Sequence, residues 1–231
     1  MKKKIGVFLI SFFLILSFSA NIVFGIIIIK NPSTETIFKS NISKVVEIKS
    51  SSDEETWGYA TGCFINTNQI LTNKHVVYNQ SEQSYYKYIL VRLPSDKDFK
   101  QATIVDVSGD SDLALIEISY HNNTHFSLAD NVKEGETVYT IGNPNGLGLS
   151  FVQGVVSCNY KKVTNENISI TALQLSMVIN EGNSGGPVFN KQGQLIGLIS
   201  FRLKDKFSDV IQGVSFAVPF EDIQLFLQTV K

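Results

Sequence analysis

Apolar and polar residues alternate along most of this chain in short bursts. From about residue 45 onward, runs rich in Val, Ile, Leu, Phe and Tyr are broken at close intervals by Gly, Asn, Asp and Ser. Such runs between turn formers read as β-strands. One set covers 45–48, 63–65, 69–72, 89–93, 103–107 and 113–118. A second covers 138–141, 152–158, 168–175, 188–189, 195–201 and 214–218. With about six strands in each set, the pattern predicts an all-β chain of two six-stranded antiparallel β-barrels. The expected halves are 37–127 and 128–231.

Two stretches carry a helical period instead. After Pro219, residues Ile223, Phe226, Leu227 and Val230 fall at i, i+3, i+4 and i+7, one apolar stripe. Glu221 and Asp222 suit the positive end of that helix. A weaker helix is expected over 35–41.

Ahead of the barrels the pattern changes. Lys2, Lys3 and Lys4 make a basic tip (1–4), and 5–29 is an apolar run interrupted only by small or weakly polar residues such as Gly6, Ser19 and Gly25. A secretory signal core extends over roughly 7–15 residues, whereas a membrane span needs roughly 20. The run therefore reads as an uncleaved signal anchor. The alternative is cleavage after Ser19 or Gly25, and the second site would leave four isoleucines at an exposed terminus. The lysines would stay cytoplasmic. A single-pass anchor with its N-terminus inside then places everything after Lys30 outside the cytoplasm. Residues 30–36 read as a linker, with Pro32 barring helix continuation.

Composition changes this picture little. In 231 residues, 20 Lys and Arg nearly balance 21 Asp and Glu, for a net charge of −1. No basic field points to nucleic acid. Cys63 and Cys158 are too few for a disulfide scaffold or a cysteine-based zinc site. Whether they pair or stand apart as two half-buried thiols stays open.

Candidate chemistry centres on Gly182-Asn183-Ser184-Gly185-Gly186-Pro187. Glycines let a tight turn bring Ser184 forward and aim backbone N–H groups at one point, as a nucleophile with an oxyanion hole requires. Taken alone, the stretch is equally an ordinary Gly-rich hairpin. A base and an orienting acid decide between the two. His75 ends the apolar run Ile70-Leu71-Thr72-Asn73-Lys74-His75, where a loop is expected to begin. Asp112 opens Asp112-Leu113-Ala114-Leu115, next to a fully apolar strand that would half-bury its carboxylate. His121 and His125 have the i, i+4 spacing of a metal pair, but they lie in a polar loop without an adjacent Glu. No metal and no organic cofactor is called for.

His75, Asp112 and Ser184, in that order and split between two β halves, resemble the chymotrypsin-fold serine proteases and, within them, the HtrA/Deg family. Further words match in sequence: Thr61-Gly62-Cys63-Phe64-Ile65, Leu71-Thr72-Asn73-Lys74-His75-Val76-Val77, Ile141-Gly142-Asn143-Pro144, Gln153-Gly154-Val155-Val156-Ser157 and Gly213-Val214-Ser215-Phe216-Ala217-Val218-Pro219. The resemblance implies a membrane-anchored serine endopeptidase of extracytoplasmic quality control, stress response or processing. Its triad would be His75, Asp112 and Ser184. The N–H groups of Gly182 and Ser184 would form the oxyanion hole, and Ser200 would hold the Asp112 carboxylate. Val178, Ile179 and Gly213 match positions of the P1 pocket, and Ser200, Phe201 and Arg202 the edge that takes an extended, unfolded polypeptide. No carboxylate lies among them, so the pocket is expected to favour aliphatic P1 residues; Arg202 departs from the small or polar residue expected there. Asn183 replaces the Asp that pairs with a new N-terminus in secreted zymogens, so that activation route is not expected. HtrA enzymes usually carry PDZ domains after the protease domain; none is recognisable here. Trimers are common in the family, but the sequence does not establish a homotrimer. The competing expectation is a catalytically silent sensor or holdase that binds peptides on the same fold.

Overall fold

The computed structural model describes residues 14–19, 21–22, 31–165, 168–203 and 211–230. The chain divides into two compact units, Met1–Ile37 and Phe38–Lys231. In the first, residues 14–19 and 21–22 are helical. Most of the 5–29 run lies outside the described residues. Among the described residues, no helix is long and apolar enough to cross a membrane.

A helix α1 (Thr34–Asn41) leads into the second unit. There β1 (Val45–Ser51), β2 (Gly58–Phe64) and β3 (Gln69–Thr72) form a meander. A short hairpin of β4 (Tyr78–Asn79) and β5 (Ser84–Tyr85) separates them from β6 (Tyr88–Arg92), which pairs with β1. β7 (Lys100–Gln101) pairs with β6, and β8 (Thr103–Val107) pairs with β9 (Ala114–Glu117), which lies against β3. Only Ala102 separates β7 from β8, so one bent strand joins the two ends of the sheet into a ring. Val46, Ile48, Phe64, Ile70, Val91 and Ile116 fill it. Each such side chain contributes about 1.5–3 kcal/mol by leaving water.

The second half opens with β10 (Ser127–Leu128), then β11 (Thr137–Gly142) and a long pair, β12 (Ser150–Asn165) and β13 (Ile168–Ser176). It continues with β14 (Pro187–Phe189), β15 (Gln194–Phe201) and β16 (Ser215–Pro219). The order β15-β14-β11-β12-β13-β16 closes on itself through the β15–β16 pairing. β10 is an added parallel strand on β15, a departure from the purely antiparallel expectation. Val138, Val156, Leu173, Leu175, Val188 and Ile196 form this core.

The helical stripe after Pro219 becomes α3 (Phe220–Thr229). Ile223 and Phe226 are buried on it, whereas Leu225 on the other face is exposed. A single helical turn, α2 (Lys74–Val77), replaces the loop expected after β3. Asn73, at φ −80° and ψ 154°, is the extended residue that starts it.

Candidate active site

The α2 turn explains how a histidine is both held and presented. Val76 and Val77 are buried in the first barrel, which leaves His75 facing outward with 46% of its side chain open. Its neighbour across the ring is Asp112, just before β9, where the buried Leu113 pins the backbone. His75 Nδ1 lies 2.9 Å from Asp112 Oδ2 and 3.1 Å from Oδ1, and the His75 N–H donates to Oδ1 at 3.1 Å. Asn73 Nδ2 donates to the Asp112 carbonyl at 2.9 Å. The two residues are thus fastened at both backbone and side chain.

The second barrel supplies a further contact to the carboxylate. In the β15–β16 ladder, Ile199 pairs with Ala217 and Phe201 with Phe216, so Ser200 is an extra residue. A bulge of this kind re-aims a side chain. Ser200 Oγ donates to Asp112 Oδ2 at 2.6 Å.

The electrostatics follow from these contacts. Burial alone would push His75 down, but the hydrogen bond and charge of Asp112 outweigh it and hold the imidazole above its ordinary pKa. Burial would push Asp112 up. Hydrogen bonds from His75 and Ser200, with the histidine's charge, hold it below the usual carboxylate range instead. The pair therefore favours imidazolium beside carboxylate, the charge state that a proton taken up at His75 Nε2 creates.

Ser184 sits in the turn between β13 and β14. Its Oγ donates to the Ser200 carbonyl at 3.3 Å. The backbone around it is set by where its carbonyls go. Glu181 O accepts from Asn145 N–H at 2.7 Å, and Asn183 O accepts from Gly186 N–H at 2.9 Å. In a trans peptide the C=O and the next N–H point in opposite directions. The Gly182 and Ser184 N–H groups therefore point away from those acceptors, and among the described residues neither donates to another backbone group. Two uncommitted donors stand in the turn that carries Ser184. Glycine is required at two places in this turn. Gly182 has φ +91°, and a Cβ there would lie 2.1 Å from Asn143 O; Gly185 has φ +81°, and a Cβ there would lie 2.1 Å from Thr61 O.

A family model described as a trypsin-like peptidase domain matches residues 60–198. The chain belongs to the trypsin-like peptidase family. A probable periplasmic DegP-like serine endoprotease of Pseudomonas fulva is 37% identical over 154 residues, covering 65% of this chain and 30% of that protein. The mitochondrial serine protease HTRA2 of Drosophila erecta is 35% identical over 164 residues, covering 69% of this chain and 36% of that protein. Among solved structures, the HtrA-type protease AlgW with a tripeptide is 24% identical at a TM-score of 0.74, covering 86% of this chain and 64% of that one. The chain thus spans about a third of the length of the curated relatives it matches.

Within this trypsin-like domain the residues expected on the substrate side divide. A cavity of about 180 Å³ opens beside Ser184, lined by Ile179, Asn180, Glu181, Ser184, Ser200, Phe201 and Arg202. Val178 and Gly213, expected in the P1 pocket, do not line it. Val178 lies between buried Met177 and buried Ile179 and is 54% exposed, because alternate residues of an extended segment face opposite ways. Gly213 has φ +74°, and a Cβ there would meet open space. A second groove runs past His75, lined also by Tyr78, Ser111, Asp112, Ile170 and Phe201. His121 and His125 are exposed, away from this site, and Cys63 and Cys158 are free thiols. Among the described residues, no cluster of His, Cys, Asp and Glu could hold a metal.

Sequence reasoning missed Thr61 and Asn145. Thr61 Oγ1 donates to Gly182 O at 2.7 Å and accepts from Asn143 N–H at 2.9 Å. The Thr61 carbonyl takes a bond from Thr72 Oγ1 at 2.8 Å. Asn145 has φ +53°. The one local signal for it was the Asn145-Gly146 turn dipeptide.

Proposed function

We propose that this chain is a serine endopeptidase that hydrolyses peptide bonds by an acyl-enzyme route. The supporting observation is the pair of N–H groups, Gly182 and Ser184, that are uncommitted among the described residues, in a turn where the carbonyls of Glu181, Gly182, Asn183 and Ser184 are engaged. Donors fixed before the substrate arrives cost no reorganisation during the reaction. In this reading Ser184 Oγ attacks the carbonyl carbon, and His75 Nε2 takes its proton. The negative oxygen of the tetrahedral intermediate rests on the N–H groups of Gly182 and Ser184. The intermediate collapses as His75 gives the proton to the leaving amine, and water then hydrolyses the acyl-Ser184 ester by the same steps. Asp112, held by Ser200, fixes the imidazole tautomer and stabilises the imidazolium. An extended polypeptide adds alongside Ser200, Phe201 and Arg202, with main-chain hydrogen bonds supplying affinity.

The relatives' periplasmic description supports an extracytoplasmic catalytic domain. The 5–29 run supports a membrane anchor. Leu14, Ile15, Leu16, Phe18 and Ile22 are exposed on helical backbone, a surface that lipid would cover. The test is labelling of the full chain with a fluorophosphonate. Wild type is expected to be labelled and to cleave an unfolded casein-type substrate; Ser184→Ala is expected to do neither. A chain that binds such substrates equally well with either residue at 184, and is never labelled, is a peptide-binding module instead.

A further inference from the structure

The geometry points to a specificity that the aliphatic expectation did not contain, and it rests on the endopeptidase reading above. The residue whose carbonyl Ser184 attacks must place its side chain next to Ser184. The 180 Å³ cavity is lined by Ser184 itself, whereas the groove past His75 is not. The cavity is thus the place for the P1 side chain. At about 30 Å³ per water, it has room for a side chain of medium length.

Its wall carries a charge. Arg202 is half-buried, and its Nη1 reaches across to Ile179 O at 3.2 Å. That bond ties the guanidinium to the Ile179–Ser184 side of the cavity. A guanidinium has five N–H donors and no acceptor. Among the described residues, Arg202 makes this one hydrogen bond and no ion pair. A cation held by one neutral acceptor in a confined space is under-satisfied, and covering it with an aliphatic side chain removes water without replacing the lost hydrogen bonds. A carboxylate supplies two acceptors in the geometry of the guanidinium fork. Glu181, also on the lining, has the opposing charge, but it is exposed to solvent and screened. The other polar side chains on the described lining, Asn180, Ser184 and Ser200, are neutral.

We propose that Arg202 makes this cavity select an acidic side chain, glutamate or aspartate, at P1. The substrate class is then extended polypeptide cut after an acidic residue.

The test uses the full chain in a membrane mimetic and matched peptides that differ only at P1: Glu, Gln, Val, Leu and Lys. A charge-assisted hydrogen bond in place of a neutral one predicts kcat/KM for Glu at least about 10-fold above Gln and above Val. Arg202→Gln is expected to reduce the Glu-to-Gln ratio to near one. Arg202→Glu is expected to move the preference to Lys, which a merely structural role for Arg202 would not do. Best cleavage after Val or Leu, or a Glu preference that survives Arg202→Glu, overturns the inference. Fluorophosphonate labelling without cleavage of the Glu peptide overturns it while sparing the endopeptidase reading. Absence of both labelling and cleavage overturns the two together.

Discussion

Thr61 is the residue through which the first barrel reaches the turn that carries Ser184, and Thr61→Val isolates that link. The side chain is fully buried and its hydroxyl does two things. It donates to Gly182 O at 2.7 Å, fixing the peptide on one side of the glycine. It also accepts from Asn143 N–H at 2.9 Å, anchoring the turn whose Asn145 N–H holds Glu181 O on the other side. Valine keeps the shape but offers neither donor nor acceptor. Two buried backbone groups then lose their partner, at about 2–6 kcal/mol together. For a chain of this size, that lowers Tm by about 4–24 °C. Complete loss of one oxyanion donor costs about 10²–10³ in kcat. Here the donor remains and only its aim is released, so kcat is expected to fall about 10–100-fold with KM nearly unchanged. The assay is steady-state cleavage of a peptide substrate, paired with thermal unfolding and with the control Thr61→Ser. Serine keeps the hydroxyl and loses only a methyl group, so it should restore kcat more fully than Tm. A Thr61→Val protein with reduced Tm and undiminished kcat would refute the argument, because the contact would then serve stability alone.

Three further predictions rest on the same geometry. The pH profile reports the His75–Asp112 pair. His75 must be neutral to accept a proton, and its pKa stands above the ordinary value, so the acid limb of kcat/KM is expected above about 6.5. An acid limb at or below that pH counts against the pair as drawn. For stability the signs are opposite. The raised His75 contributes fully below its unfolded pKa of about 6.5 and is lost as pH rises through its folded value. The depressed Asp112 contributes above about pH 3.9 and is lost as pH falls through its folded value. Ser200→Ala removes one cause of that depression, so denaturant unfolding should show a smaller loss of stability on acidification, complete at a higher pH than in wild type. Finally, Gly182→Ala places a methyl group 2.1 Å from Asn143 O at a positive φ. The turn must shift, and fluorophosphonate labelling is expected to slow by at least about 100-fold; a rate within a few-fold of wild type would contradict the turn as drawn.

What could be read from the sequence, and what could not, divides along the range of the interactions. The strands were legible because each is punctuated locally: Gly, Asn, Asp and Ser break the apolar runs where the chain turns. Ser184 was legible for the same reason, since the glycines that its turn requires are its immediate neighbours. The sequence marks His75 as ending an apolar strand but does not show the helical turn that carries it. A four-residue helical turn has too few residues for a period to show, and only the outward and inward division of His75 from Val76 and Val77 reveals its purpose. Val178 falls outside the cavity beside Ser184 because one residue of register separates the two faces of an extended segment. Burial of Met177 and Ile179 decides it, and burial is a property of the packed barrel. Thr61 could not be read as a clamp, because its partner Gly182 is 121 residues away and threonine in a strand is ordinary. Arg202 shows the same limit from the other side. The sequence marks it as unusual beside Phe201, but its meaning depends on the Ile179 carbonyl that receives it. The turn that carries Ser184 is therefore a local design, whereas its backbone is held by Thr61 of the first barrel and the charge of its cavity comes from Arg202 and Glu181 of the second. Substitutions within 182–186 should act on chemistry for every substrate, and substitutions at Arg202 only on which substrate is cut.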